Sequence, residues 1–310
     1  MKNTRFLALL TLLVAVMMPR VSAQTPRDAL VVSTAWLAQH ASDANLVLLH
    51  LGVKADYDAA HIPGARFITL GDIAVSDPAG LTLQMPAPDD LRARLEKLGI
   101  GDDSRVVVSY AKDRIAMATR VLFTLDYAGL GRRVSLLDGG HEAWVREGRP
   151  TVPSAPATTT APAVATGKLS PLAVRPATIV DAAFVNGKLN APGTVVIDGR
   201  LPQFYNGVQT GGSTEKPHRT GHIAGAKNVP YVETLNANGM LKSPEELGAL
   251  FATAGVKAGD NVIVYCHIGQ QATAVIFAAR TIGLNVALYD GSFEDWSTRP
   301  ELPVTNPSKK

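Results

Sequence analysis

The chain contains a single cysteine, Cys266, and its neighbours suit a sulfur anion. Val262-Ile263-Val264-Tyr265 reads as a strand, and the Ala-rich stretch 271–281, closed by Gly283, reads as a helix. Cys266-His267-Ile268-Gly269-Gln270 is then the turn between them. At the carboxyl end of a strand in a parallel α/β sheet, a side chain faces the crevice where ligands bind. Free N–H groups at the next helix start, and in a tight loop, favour an anion there. A cysteine so placed is expected to ionise easily. A helix terminus contributes about 0.3–1 kcal/mol, rarely ~2, and a tenfold change in ionisation is ~1.36 kcal/mol, so the dipole alone supplies roughly tenfold. Anything larger requires loop N–H groups bonded to the sulfur itself. A lone cysteine is more often an inert buried hydrophobe; the strand–turn–helix setting points instead to a nucleophile.

Two other chemistries fit less well. A Cys-x5-Arg phosphatase needs a guanidinium to clamp phosphoryl oxygens, but the sixth residue after Cys266 is Ala272. His218 and His222 have the spacing of helical metal ligands, but Pro217 and Gly221 make that stretch a loop. No metal is expected there. One cysteine also excludes an intramolecular disulfide and a multi-cysteine zinc site.

The elements that position Cys266 occur twice. His61-Ile62-Pro63-Gly64-Ala65-Arg66 recurs as His222-Ile223-Ala224-Gly225-Ala226-Lys227. Arg105-Val106-Val107-Val108-Ser109-Tyr110 recurs as Asn261-Val262-Ile263-Val264-Tyr265-Cys266. Asp138-Gly139-Gly140-His141-Glu142-Ala143-Trp144 recurs as Asp290-Gly291-Ser292-Phe293-Glu294-Asp295-Trp296. Three motifs in one order mark a duplicated unit. The runs 45–51, 105–109, 194–198 and 261–265 suit strands buried on both faces, and the patterns at 89–98, 115–127 and 271–281 suit helices. Alternating β and α elements imply, in each copy, a mainly parallel sheet flanked by helices. In the first copy Tyr110 replaces the cysteine and Lys112-Asp113-Arg114 the neutral loop, so that copy is expected to be catalytically silent. The divisions expected are an export signal at 1–23, a silent domain at 27–150, an Ala/Thr/Pro-rich linker at 151–174 and a catalytic domain at 175–306.

Charge narrows the partners. Of the 310 residues, 30 are Lys or Arg and 27 are Asp or Glu. Lys2, Arg5 and Arg20 account for the excess, because 1–23 holds no acid. The balanced remainder argues against a nucleic-acid footprint and a polybasic membrane patch. Basic residues, a short apolar run from Phe6 to Met18 and Val21-Ser22-Ala23 form a signal-peptide pattern with cleavage near Ala23. The run is short of the ~20 residues of a membrane span. Export to the bacterial periplasm or the outside is expected, with no stable membrane insertion after cleavage.

Taken together, the two His-Ile-x-Gly-Ala segments, the Cys266 loop and the two Asp-Gly-x4-Trp segments resemble the rhodanese family of sulfurtransferases in its tandem two-domain form, over about 31–303. The resemblance implies an inactive first domain, an active second one and a site between them. It implies ping-pong transfer without an obligatory cofactor: Cys266 takes sulfane sulfur from a small anionic donor, and a thiophilic acceptor such as cyanide, a thiol or a protein removes it. Asp198-Gly199-Arg200 and Arg219-Thr220-Gly221-His222-Ile223 are similar to two family segments, which makes Arg200 and Arg219 candidate anion contacts. Structural ion pairing is the alternative for each. His222 is expected to be a loop strut. His267 borders the sulfur, either tuning it, touching the donor or facing solvent. The loop His267-Ile268-Gly269-Gln270-Gln271 matches neither the basic loop of thiosulfate-specific relatives nor the Gly-Ser-Gly loop of mercaptopyruvate-specific ones. Ile268 stands where the latter have serine, and His50 replaces an aspartate of the associated Ser-His-Asp set. Thiosulfate is therefore the favoured donor over 3-mercaptopyruvate. A persulfide carrier that serves a partner protein with trivial turnover is the alternative function.

Overall fold

The computed structural model describes residues 25–77, 80–154, 166–214 and 216–309; the expected export signal, and 155–165 of the expected linker, lie outside the described residues. In the first half, β1 (Val31–Val32), β2 (Leu46–Leu51), β3 (Ala65–Phe67), β4 (Arg105–Tyr110) and β5 (Val134–Leu137) form one parallel sheet in the order β1-β5-β4-β2-β3. The second half holds β6 (Ile179–Val180), β7 (Thr194–Asp198), β8 (His222–Ile223), β9 (Lys227–Asn228), β10 (Asn261–Tyr265), β11 (Asn285–Tyr289) and β12 (Val304–Thr305). Its parallel sheet runs β6-β11-β10-β7-β9, the same order, while β8 and β12 pair antiparallel outside it. The duplicated α/β architecture expected from the repeat is present.

Burial explains why the aliphatic runs are strands. Both β2 and β4 bury every residue after the first, and β10 buries every residue after Asn261, as a central strand covered on both faces must. The helix expected at 89–98 runs Pro88–Lys97, because proline opens a helix where its missing N–H costs nothing. Chain connections leave β7 and β10 in opposite directions, toward β9 and β11. The carboxyl ends of β7 and β10 therefore form a topological switch point, where α/β sheets open a ligand crevice.

The halves meet along two equivalent helices, Ile115–Tyr127 and Gln270–Thr281. Leu122 and Phe123 share one apolar cluster with Ile276 and Phe277, and the Thr119 and Thr273 hydroxyls lie 3.0 Å apart. The repeated aspartates are the crossing points. Asp138 accepts from the Leu241 N–H of the second half at 3.2 Å, and Asp290 accepts from the Met85 N–H of the first at 3.3 Å. The repeated tryptophans each close their own half: Trp144 donates to the Pro150 carbonyl and Trp296 to that of Pro303. Among the described residues, no helix is long and apolar enough to cross a membrane.

Candidate active site

Cys266 follows the last residue of β10 and is 1% exposed. Gly269, at φ +78°, turns the chain into the Gln270–Thr281 helix. A side chain there would be strained, and its Cβ would lie 3.0 Å from Asp290 oxygens. The turn aims the backbone N–H groups of Ala272, Ile268 and Gln271 at the Cys266 sulfur. The sequence leaves room for such a cradle, and each of these N–H groups favours the sulfur anion.

The Asp-Gly-x4-Trp segment holds the loop from behind. Cys266 N–H donates to Ser292 Oγ at 3.2 Å, and that hydroxyl donates to the Tyr289 carbonyl at 2.9 Å. The Phe293 and Glu294 N–H groups donate to the Cys266 and His267 carbonyls at 3.0 and 2.9 Å. From the first half, Arg120 Nη1 reaches Asp290 Oδ1 at 2.5 Å and the Gly269 carbonyl at 3.5 Å. Its Nη2 donates to the carbonyl of Leu83, a non-glycine residue at φ +54°.

The expectation of easy ionisation is corrected. Burial pushes the Cys266 thiol above its ordinary value, outweighing the three N–H groups that pull it down, and the Asp198 charge adds to the rise. The cradle is ready for an anion, but the residue is almost wholly shielded from water.

The arginines lie in fixed pairings. Arg200 is 1% exposed, with Nε 3.0 Å and Nη2 2.6 Å from the Asp198 carboxylate, and Nη2 also donates to the Gly221 carbonyl at 2.8 Å. Its guanidinium lies 4.1 Å from the Phe293 ring centre, and Tyr265 Oη donates to Asp198 at 2.7 Å. This is the ion-pair alternative for Arg200, although it lies near enough to Cys266 for their charges to interact. Arg219 donates through Nη1 to the Leu302 carbonyl at 3.0 Å and through Nη2 to the Trp296 carbonyl at 2.9 Å, tying its loop to the carboxyl-terminal segment. Arg200 is thus neutralised by a carboxylate, whereas Arg219 is held by carbonyls, with no carboxylate partner among the described residues and its Nε buried without a bond.

His267 joins a group of neutral rings. Its imidazole lies edge-on to Phe204 at 4.6 Å and 5.7 Å from that of His218. Burial, with the Arg200 charge behind it, pushes His267 down to about 3 and His218 to about 4. Both Nδ1 atoms are buried without a partner beside Gly211, where a Cβ would fall 2.3 Å from that of His267. His222 stacks on Tyr205 at 3.8 Å and bonds its carbonyl at 2.8 Å, a loop strut as expected. His218 and His222 therefore serve different neighbours, and among the described residues no three His, Cys, Asp or Glu side chains converge as a metal site.

Ile268, Gln270 and Gln271 stay half-buried around the sulfur, with Gln271 beside the Tyr231 hydroxyl. Tyr231, Phe204 and Arg120 are site neighbours that sequence reasoning missed. Only Arg120 left a signal: a lone charge inside the apolar run Ile115-Ala116-Met117-Ala118-Thr119-Arg120-Val121-Leu122 is buried and needs a partner. In the first half, Tyr110 occupies the cysteine position and donates through its hydroxyl to the Gly239 carbonyl at 3.1 Å. It braces the opposite half.

Two fused α/β units with one thiol in an N–H cradle, at the switch point of the second, define a class that the comparisons identify. The chain belongs to the rhodanese family: the Rhodanese-like domain model matches residues 33–147 and again 181–299. It is 31% identical over 289 residues to the sulfur carrier protein TtuD of Thermus thermophilus, covering 88% of this chain and 95% of that protein. It is 30% identical over 294 residues to 3-mercaptopyruvate sulfurtransferase of Escherichia coli, covering 88% and 96%. The crystal structure of SseA from Escherichia coli, titled for 3-mercaptopyruvate sulfotransferases, superposes with a TM-score of 0.72 at 28% identity, covering 84% of this chain and 98% of that one.

Proposed function

We propose that the protein is a sulfurtransferase that carries sulfane sulfur on Cys266, and that its first half is catalytically silent. The observation that carries this is the convergence of the Ala272, Ile268 and Gln271 N–H groups on one buried sulfur. Those donors stabilise a thiolate and equally a persulfide anion, so one cradle serves both half-reactions. In the first, Cys266 thiolate attacks the outer sulfur of thiosulfate. The new S–S bond forms as the old one breaks, and sulfite leaves with the bonding pair. In the second, cyanide attacks the outer sulfur of the persulfide, thiocyanate departs, and the thiolate returns.

Thiosulfate remains the favoured donor over 3-mercaptopyruvate, because Ile268 offers no hydroxyl to act on the latter. With Arg200 neutralised by Asp198, charge recognition of the donor falls to the loop N–H groups and to the uncompensated charge of Arg219. Thiocyanate formation from thiosulfate and cyanide should vanish in Cys266→Ala and persist in Tyr110→Phe; activity without Cys266 would overturn the mechanism. Parallel kinetics with 3-mercaptopyruvate test the donor.

A second reading, persulfide delivery to a partner protein, is favoured by the neutral loop after Cys266, with Arg200 paired to Asp198, and by similarity to a protein named as a sulfur carrier. It predicts a purified protein one sulfur heavier by mass spectrometry, slow on either donor but discharged by its partner. Action in the periplasm or outside the cell rests on the pattern in 1–23. An intact mass from cell fractions that still includes those residues would refute it.

A further inference from the structure

A cavity of about 970 Å³ opens along the seam of the two helices, and neither Cys266 nor its loop lines it. Four arginines do: Arg132, Arg133, Arg175 and Arg280. The one carboxylate in the lining is Asp126, shared between Arg175 at 2.5 Å and Arg280 at 2.7 Å. Within the lining, four guanidinium groups face one carboxylate, and even with the nearby Asp102 carboxylate opposite Arg133 the seam keeps a positive excess, in a chain whose residues beyond 23 balance.

The arrangement is held in place. A Cβ on Gly131 would fall 2.1 Å from Asp126 Oδ1, so glycine is what lets the carboxylate sit there. Arg133 Nη1 is held by the Gly101 and Asp102 carbonyls, and the Arg280 guanidinium lies 5.5 Å from the Phe123 ring centre. Phe123, Ile276 and Phe277 supply an apolar wall.

We propose that this seam cavity is a second binding site, for an organic phosphate that joins two or more negative charges to an apolar or planar body. Planar guanidinium groups match phosphate oxygens in pairs, which a single shared carboxylate leaves unsatisfied. The volume lies at the upper end of the ~300–1,000 Å³ typical of small-molecule sites, room for a nucleotide-sized ligand rather than a bare ion. The Gln270–Thr281 helix begins at the sulfur cradle and carries Arg280 near its other end, so an occupant would rest on the element that shapes the cradle.

Isothermal titration calorimetry of the full chain with adenosine diphosphate and with inorganic pyrophosphate, against sodium chloride at matched ionic strength, tests this. Adenosine diphosphate should bind, and more tightly than pyrophosphate although it carries no more charge at neutral pH. The pair Arg132→Ser and Arg175→Ser, both at exposed arginines and leaving Asp126 bonded to Arg280, should weaken it roughly tenfold or more. Cys266→Ala should bind it as tightly as the unaltered protein. No heat beyond the salt control, tighter binding of pyrophosphate, unchanged affinity in the arginine pair or lost affinity in Cys266→Ala would each overturn the proposal. The readout is independent of turnover, so it stands or falls apart from sulfur transfer.

Discussion

Arg120, in the half without a cysteine, pairs with Asp290 behind the Cys266 loop at 2.5 Å, with side chains 0% and 7% exposed. The silent half therefore supplies the counter-charge for the segment that fixes the catalytic loop. Neither half holds this arrangement alone.

Replacing Arg120 by methionine strands the Asp290 carboxylate in the interior. Breaking a buried pair by removing one partner costs about 3–5 kcal/mol. Denaturant unfolding should show a loss of that order for Arg120→Met. The double variant Arg120→Met with Asp290→Asn should recover part of it, since no uncompensated charge remains. A loss under about 1 kcal/mol in the single variant, the range of exposed pairs, would show that the pair is open to water.

Much of this frame is legible in sequence, and the reason is local. The aliphatic run of β10, the glycine at the helix start and the repeated Asp-Gly-x4-Trp segments are all short-range patterns, and they place Cys266 between strand and helix. Arg120 and Asp290 lie 170 positions apart, and no local pattern joins them. The same limit applies to Arg200 and Arg219. Their motifs put them at a strand end and in a loop, but the Gly221, Leu302 and Trp296 carbonyls that engage them are neighbours only in space. The thiol is the sharpest case: a helix start can be read from sequence, whereas the burial that opposes its charge depends on both halves closing.

That burial has a kinetic consequence. The Cys266 thiol is raised above its ordinary value of 9.0, with burial the leading cause. The thiolate is the reactive form, so alkylation by iodoacetamide should keep accelerating as the pH rises past 9. Stopped samples read by mass spectrometry across pH 6–10 would give the midpoint. A midpoint below 8 would mean that the N–H cradle outweighs burial.

Three histidines are expected to lower stability in acid. His50 and His218 are pushed down to about 4, and His267 to about 3, from an ordinary 6.5, with burial the first cause in each. Between the folded values and 6.5 the unfolded chain binds protons that the folded one refuses. Stability should accordingly be full above 6.5 and fall as the pH drops toward 4, by ~1.4 kcal/mol per pH unit for each histidine. His141 and His222 are displaced in the same direction and add to the slope. Thermal unfolding from pH 7 to 4 would measure it, and His267→Gln should flatten the curve. A flat profile in the unaltered protein would show that the imidazoles take up protons without unfolding.

Ser292 separates backbone strain from hydrogen bonding. It is fully buried at φ +52°, its hydroxyl accepting from Cys266 N–H and donating to the Tyr289 carbonyl. Ser292→Ala keeps the strained backbone and leaves two buried polar groups unpaired, at about 1–3 kcal/mol for each group left unsatisfied. Ser292→Gly loses the same bonds but occupies the left-handed region freely, which recovers roughly 1 kcal/mol. The order of stability should be serine, then glycine, then alanine. Because the lost bond anchors the Cys266 N–H, both variants should also form persulfide more slowly from thiosulfate than the unaltered protein. Alanine at least as stable as glycine would mean that the positive φ carries no strain, and an unchanged persulfide rate would mean that the loop holds its shape without Ser292.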